Sequence, residues 1–513
     1  MTTPTPAGPD IVSRALAQNR LGVPSVVFFG IAGAAPLTVI LGAVTTIYAV
    51  IGNTAVPVSY LVAAAILSLF TVGFVAMSRH IVNSGAFYSY ISHGLGRVAG
   101  VGAAFVALPA YAIMQIGLFG LFGVVGSGIL GAFGVHADWF WVALGAWLLV
   151  AVLNLLWVDL SGRVLAVLLV VEIAIVVFYD AVMIANPADG TVSFQTLSPT
   201  LMLSPQAAAM LVLAIAGFVG FEATVVLSEE AKDPKRTIAR ATHWAVIIPG
   251  VLMAGSAWAI SVAAGPGNVV AAAQKEKTNL VFALVGPHVP AILVQIGYVL
   301  FLTSVFAALL AFHAAVARYQ FALGREGILP GAWGRTHPRT GAPTVGSVTQ
   351  SLLALGVLVA YHWGGADPLV YLFAWLTVLG GLGVLILMWA ASAAVLAFFI
   401  RNRGLENAWR GWIAPTFAFL LLSGVLAATL IGLPDMLQVG PDSPLRWIIP
   451  PAYGVIALLG LCWGLITRAT RPDVYAAIGR GTDRGLLIPI SPAPQGLFAS
   501  PVEVRPLYRS AVH

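Results

Sequence analysis

The stretch AIAGFVGFEATVVLSEEAKDPKRTIARA, Ala214–Ala241, decides the reading of this chain. It starts as an apolar helix, carries Gly217, Gly220 and one isolated acid, Glu222, and then turns abruptly into a charged, proline-containing segment. Glycine weakens a helix interior, and an acid inside a hydrophobic run is costly enough to read as functional. Together they predict a membrane helix that opens in its middle, with the acid at the opening.

The rest of the chain supports a membrane setting. Of 513 residues, 59% are hydrophobic and 9% charged, against about 25% charged in an average soluble domain. About a dozen runs reach the roughly 20 apolar residues a helical span needs. They start near Val23, Val56, Val98, Trp139, Val164, Ala207, His243, Val289, Val345, Leu369, Trp412 and Ile448. The short alternating strands of an outer-membrane barrel are absent from the pattern. With the N-terminus inside, Arg79, Arg97, Arg163, Lys232, Lys235, Arg236, Arg240, Arg325, Arg335 and Arg401 face the cytoplasm, and only Lys275, Lys277 and Arg446 lie outside. That bias fits the positive-inside rule for an even number of spans in the cytoplasmic membrane, both termini in the cytoplasm. The net charge of +6 is therefore a topology signal and not a nucleic-acid signal.

The first residues lack the basic and apolar parts of a cleaved signal, so the first span is expected to be retained. One cysteine, Cys462, excludes an intrachain disulfide and suggests no thiolate metal site; nothing calls for a cofactor. The expected organisation is a tail over residues 1–21, one transmembrane domain over 22–467, and a loosely structured tail over 468–513. Ser78–Arg97 reads as a re-entrant or interfacial helix, and Asn186–Ser204 and Gly265–His288 as the larger external loops.

A faint internal repeat runs through the domain. The first span contains GIAG (Gly30–Gly33) and the sixth GFVG (Gly217–Gly220), each in the first helix of a five-span unit. Units with an odd number of spans are inverted relative to each other, and interrupted segments in corresponding positions point to a transporter binding site. Close helix packing is the competing use of such glycines.

Three motifs carry a family resemblance. GFVGFEATVVLSEEAKDPKRTIARA (Gly217–Ala241) resembles the sixth-span signature of the amino acid–polyamine–organocation superfamily. SGAFYSYISHGLGRVAGVGAAF (Ser84–Phe105) resembles its loop between the second and third spans, and ARYQFALGREGILP (Ala317–Pro330) the end of its eighth. The resemblance implies an all-α fold of about twelve helices: a five-plus-five inverted repeat (22–186 and 205–400) with broken first and sixth helices, plus two C-terminal helices over 411–467. It also implies an amino acid permease that works by alternating access, as monomer or homodimer.

The broken helices suggest how a solute would be held. Gly30, Gly33 and Pro36 undermine a regular first helix. Unwinding there would free the amides of Gly33, Ala34 and Ala35 to hold a carboxylate at a helix start. Freed carbonyls around Ile31 and Ala32, and those of Ala216 and Val219, would accept from an ammonium group. Phe218 and Phe221 are expected to line or gate the site, or simply to pack. By motif alignment Gln115 falls where the family's arginine/agmatine antiporter has a pocket amide; an interhelical hydrogen bond is the alternative. Ala216 stands where that antiporter has a gating tryptophan, which argues against an arginine-stacking site.

Three titratable groups are candidates for coupling or gating. Glu222 matches the family's recurrent glutamate. Glu172 falls where some relatives carry a lysine that substitutes for sodium, and would carry a proton or a buried hydrogen bond. His313 would titrate near neutral pH or bond a neighbouring helix. Asp180 reads as a solvated acid near the outer interface. In the eighth span the stretch Phe306–Arg318 has no Ser or Thr for a sodium site, and Thr303 and Ser304 lie a turn earlier, which favours protons or exchange. The cytoplasmic cluster of Glu229, Glu230, Lys232, Lys235, Arg236 and Arg240 is expected to supply gate salt bridges to Arg79 or Arg318. A polyamine carrier is the second reading, with Glu172 and Glu222 as counter-charges. Metal-hydrolase, thiol and nucleophile-elbow motifs are absent, which disfavours a membrane enzyme. A receptor would be expected to add a signalling domain.

Overall fold

The computed structural model describes residues 21–81, 85–132, 134–156, 158–204, 206–227, 231–337, 341–437, 439–440 and 442–480. Within them the architecture is all-α. In chain order the helices are α1 (Val23–Ala34), α2 (Pro36–Thr38), α3 (Thr45–Ile51), α4 (Val56–Ser78), α5 (Ala86–Gly94), α6 (Arg97–Ala132) and α7 (Trp139–Leu156). Next come α8 (Val158–Ala185), α9 (Ala207–Ala216), α10 (Ala223–Val226), α11 (Pro234–Ala264), α12 (Val269–Glu276) and α13 (Leu280–Val285). The chain continues through α14 (Ala291–Arg325), α15 (Thr344–Trp363), α16 (Trp375–Arg401), α17 (Ala414–Met436), α18 (Leu445–Thr470) and α19 (Pro472–Ala477).

Nine helical stretches among the described residues are long and apolar enough to cross a membrane, and Trp139–Leu155 is a shorter apolar helix. The two remaining expected spans are helical as well. Helix α8 is 28 residues long, and its run from Val164 to Ala181 carries only Glu172 and Asp180 as charged residues, so its composition also suits a span. The sixth span is cut into α9 and α10 by the turns over residues 217–222.

In lipid, backbone groups must be satisfied within the protein, so an irregular stretch survives only where other helices shield it. The packing provides that shield. Helix α1 lies against α8, α11 and α14, and α9 against α4, α16 and α17. Long α6 backs the bundle, touching α7, α14, α16 and α18. A single parallel bridge, Leu21 to Ala231, ties the entrance of α1 to the segment after α10, with the Lys232 amide donating to the Leu21 carbonyl at 2.7 Å.

Two peripheral expectations need correction. Helix α5 is not an interfacial helix: Phe87, Tyr88 and Tyr90 are fully buried, with the Phe87 and Tyr90 rings against Phe74 of α4 and the helix itself packed on α6 and α16. The C-terminal segment is built well past Arg468, since α18 runs to Thr470 and α19 follows. Gly479 then docks beneath the bundle. Its amide donates to Glu326 Oε2 at 2.7 Å, its carbonyl accepts from Ser89 Oγ at 3.1 Å, and the Tyr88 hydroxyl also donates to Glu326.

Candidate functional site

Both predicted helix breaks exist, and they touch. In the first span the break falls at Ala35–Pro36. Ala35 adopts a left-handed conformation with φ of 40°, and Pro36 starts a new helical stretch that runs through a π-helical segment, Val39–Val44, into α3. A residue before proline is pushed out of the α region, which puts the break later than glycine content suggested. In the sixth span α9 stops at Ala216, and successive turns carry the chain to α10. Gly220 has φ of 121°, and a Cβ there would lie 2.4 Å from the Gly33 carbonyl carbon. Gly33 and Gly220 therefore let two opened backbones meet without side chains between them.

The hydrogen bonds at the break shift the expected donors. The Ala35 amide is not free: it donates to the carbonyls of Ile31 (2.9 Å) and Ala32 (3.2 Å), closing α1. Gly33, Ala34 and Ala35 thus sit at the carbonyl end of one helix, not at the amide start of the next. The amide start is three residues on. Leu37 and Thr38 lie in the first turn of the stretch that starts at Pro36, where a helix leaves its amides without an intrahelical acceptor. Of the anticipated carbonyls, Ile31 and Ala216 already accept hydrogen bonds, whereas Val219 accepts none from backbone among the described residues.

A cavity of about 90 Å³ opens beside this junction. Gly33, Ala34, Ala35, Ala216 and Val219 line it, as the sequence suggested. Ile31, Ala32, Phe218 and Phe221 do not. The two phenylalanines are fully buried and pack edgewise or tilted on Phe70 and Tyr60, with ring centroids 6.2 and 6.3 Å apart. The walls come instead from residues the sequence did not single out: Thr38 and Val39, Met114 and Leu118, Leu213, Ala308 and Phe312, Phe373, Thr377 and Val378. The hydroxyls of Thr38 and Thr377 are buried without a hydrogen-bond partner among the described residues. Buried polar groups are normally paired, so two orphaned hydroxyls on one apolar cavity mark where a polar ligand group would sit. No ionisable side chain lines this cavity.

Glu222 lies beneath, on the other side of Phe312. One carboxylate oxygen accepts from the Tyr111 hydroxyl at 2.5 Å, the other from the Gly220 amide at 3.0 Å. It thus replaces a backbone partner that the break removed. Glu222, Tyr111 and Gly220 line a small void with Tyr319 and Phe312.

Gln115 is not a cavity residue. Its side-chain oxygen accepts from Gln350 Nε2 at 2.6 Å, and its nitrogen lies 3.5 Å from His313 Nδ1. His313 Nε2 is 2.8 Å from Ser347 Oγ. An amide nitrogen facing Nδ1 requires the neutral tautomer with its proton on Nε2. The four side chains therefore join α6, α14 and α15, the interhelical alternative for both Gln115 and His313. Their partners come from distant segments, which one sequence does not reveal.

Glu172 is buried within α8, 3% exposed, and does not line the cavity. Asp180 is not a solvated acid: it accepts from Ser256 Oγ at 2.7 Å across the contact between α8 and α11. Glu229 and Glu230 lie outside the described residues, and Arg79 pairs with Glu406 at 3.3 Å.

A family model described as amino acid permease matches residues 21–453. The chain belongs to that family. Among relatives of this permease, a low-affinity putrescine importer of Escherichia coli is 27% identical over 140 residues, 27% of this chain and 30% of the importer. An uncharacterized transporter of Mycobacterium tuberculosis is 31% identical over 227 residues, 41% of this chain and 49% of that protein. A branched-chain amino acid permease of Bacillus subtilis is 27% identical over 132 residues, 25% of this chain and 26% of that permease. The matches thus cover less than half the length of each relative. Membership places the chain among multi-pass membrane permeases, not among enzymes.

Proposed function

We propose that the protein is a secondary active transporter of small neutral amino acids, working by alternating access in the cytoplasmic membrane with both termini inside. The observation that carries this reading is the cavity at the touching helix breaks, apolar-walled and without an ionisable lining side chain. A zwitterion suits such a site because opposed backbone ends can neutralise both its charges. Its carboxylate would lie at the Leu37 and Thr38 amides and the Thr38 hydroxyl, at the positive end of the new helical stretch. Its ammonium would lie at the carbonyl end of α1 and at Val219. A side chain would meet Met114, Leu118, Phe312 and Val378. The volume of about 90 Å³ favours a short side chain, since an apolar cavity of roughly 150 Å³ already holds benzene.

The putrescine importer among the relatives raises an amine reading. A diamine would bring two cations and no carboxylate, and an unpaired buried charge is expensive. Glu222 is held by Tyr111 and Gly220 and does not line the cavity. We rank the amine second. The five-plus-five inverted repeat with two added helices is part of the same proposal, as is coupling to protons or to exchange, with Glu172 and Glu222 as the carboxylates involved.

Thermal stabilisation of the purified protein across amino acids and their decarboxylated amines tests the reading, because a ligand that binds only the folded state raises the melting temperature. Stabilisation by alanine, serine or valine but not by the corresponding amines supports it. Stabilisation by putrescine and not by any α-amino acid would refute it. Uptake into proteoliposomes with and without a proton gradient then separates symport from exchange.

A further inference from the structure

On the arginine-rich face, away from the cavity, a groove of about 510 Å³ opens between α4, α11 and the start of α17's span. Its polar end is formed by Arg79, Arg240 and Arg410, with His243 beside them. Two of these arginines share one carboxylate: Glu406 lies 3.3 Å from Arg79 and 3.6 Å from Arg410. Among the described residues, three guanidinium groups face one carboxylate, Glu406, which leaves the groove positive. Its other wall is apolar and open. Trp244, Trp409 and Ile247 are 51%, 48% and 42% exposed. The open surface continues along α11, where Trp244, Ile247 and the 68%-exposed Val251 follow one another at helical spacing on one face.

We propose that this groove binds the headgroup of an anionic phospholipid, with its acyl chains along the Trp244–Ile247–Val251 stripe. Basic pockets between membrane helices on the cytoplasmic side recognise anionic headgroups, and tryptophan is enriched at headgroup level. The charge explains an anion, and the exposed apolar stripe leading away from it explains why that anion is a lipid. A soluble phosphate would use only the arginines. A protein partner would leave the stripe unexplained where the bilayer already covers it. The site is separate from the cavity and does not depend on which solute is carried.

Native mass spectrometry of the purified full-length protein, titrated in mixed micelles with phosphatidylglycerol, phosphatidylcholine or inorganic phosphate, tests the proposal. Phosphatidylglycerol is expected to bind most tightly. Arg240→Gln and Arg410→Gln should each weaken it about fivefold, the effect of removing one cation near a membrane surface. Arg240→Lys should retain most of the affinity, and Arg403→Gln, outside the groove, should leave it unchanged. Cooperative thermal melting without added solute, read on the same samples, reports whether each variant is folded. Equal binding of phosphatidylcholine would overturn the proposal. So would unchanged phosphatidylglycerol binding in a folded Arg240→Gln, Arg410→Gln double variant. Inorganic phosphate binding as tightly as the lipid would overturn it as well, by making the groove a free-anion site.

Discussion

Replacing Gly220 with alanine tests the contact on which the site depends. The substitution adds one methyl group at a residue with φ of 121°, 2.4 Å from the Gly33 carbonyl carbon and 2.8 Å from the Ala34 nitrogen. Backbone in a region that L residues avoid costs of order 1–3 kcal/mol. Overpacking a tight contact costs about another 1–3 kcal/mol. Both atoms are backbone, so neither can swing aside, and the expected destabilisation is roughly 2–6 kcal/mol. The chain can reduce that cost only by separating the two breaks, which would misplace both cavity walls. Melting of the purified protein and initial uptake rates in proteoliposomes should therefore fall together. Gly424→Ala is the control: it lies in α17 with nothing within 4 Å of an added Cβ, and alanine favours helix by about 0.5–1 kcal/mol. If Gly220→Ala melted no lower than Gly424→Ala and transported like the unmodified protein, the argument that the breaks must touch would be wrong.

Thr38→Val and Thr377→Val remove orphaned hydroxyls while keeping shape. The free protein should melt at or above its normal temperature, while amino acid affinity by thermal titration falls roughly ten- to a hundredfold for Thr38, as for a lost bond to a charged group. Tyr111→Phe takes one donor from Glu222 and should cost about 1.5–3 kcal/mol, measured by chemical or thermal unfolding. Gln115→Leu should lower stability by about 1–3 kcal/mol through unpaired Gln350 and His313, yet leave the KM for uptake unchanged. A large KM change with normal stability would return Gln115 to the substrate site.

The sixth-span break was legible because Gly217, Gly220 and Glu222 are local signals: two weak helix formers and an acid that needs a partner. The first-span break was legible over Gly30–Pro36, but not which of those residues ends the helix. The glycines drew attention to Gly33, whereas the steric conflict lies between Ala35 and Pro36, and those glycines serve close approach. The donors proposed for a carboxylate therefore moved from residues 33–35 to residues 37–38. Cavity walls were harder to read. Phe312, Phe373 and Thr377 lie in uniformly apolar runs where every side chain looks alike. Only packing decides which ones face the breaks, and the π-helical turn over Pro368–Ala374 further alters which side chains share a face. Gln115 was recognised as unusual, but its role depends on Gln350 and His313, 235 and 198 residues away.

The docking of Gly479 beneath the bundle has a consequence for biosynthesis. Glu326, completely buried, receives one of its hydrogen bonds from an amide 153 residues later in the chain. At synthesis rates of about 5–20 residues per second, that donor arrives roughly 8–30 s after the acid has left the ribosome. By the end of this interval the helices that carry the cavity are made, the last of them α16, while their arginine-rich underside still lacks this tie. A message truncated just before Gly479 would thus encode every cavity residue without this contact beneath them.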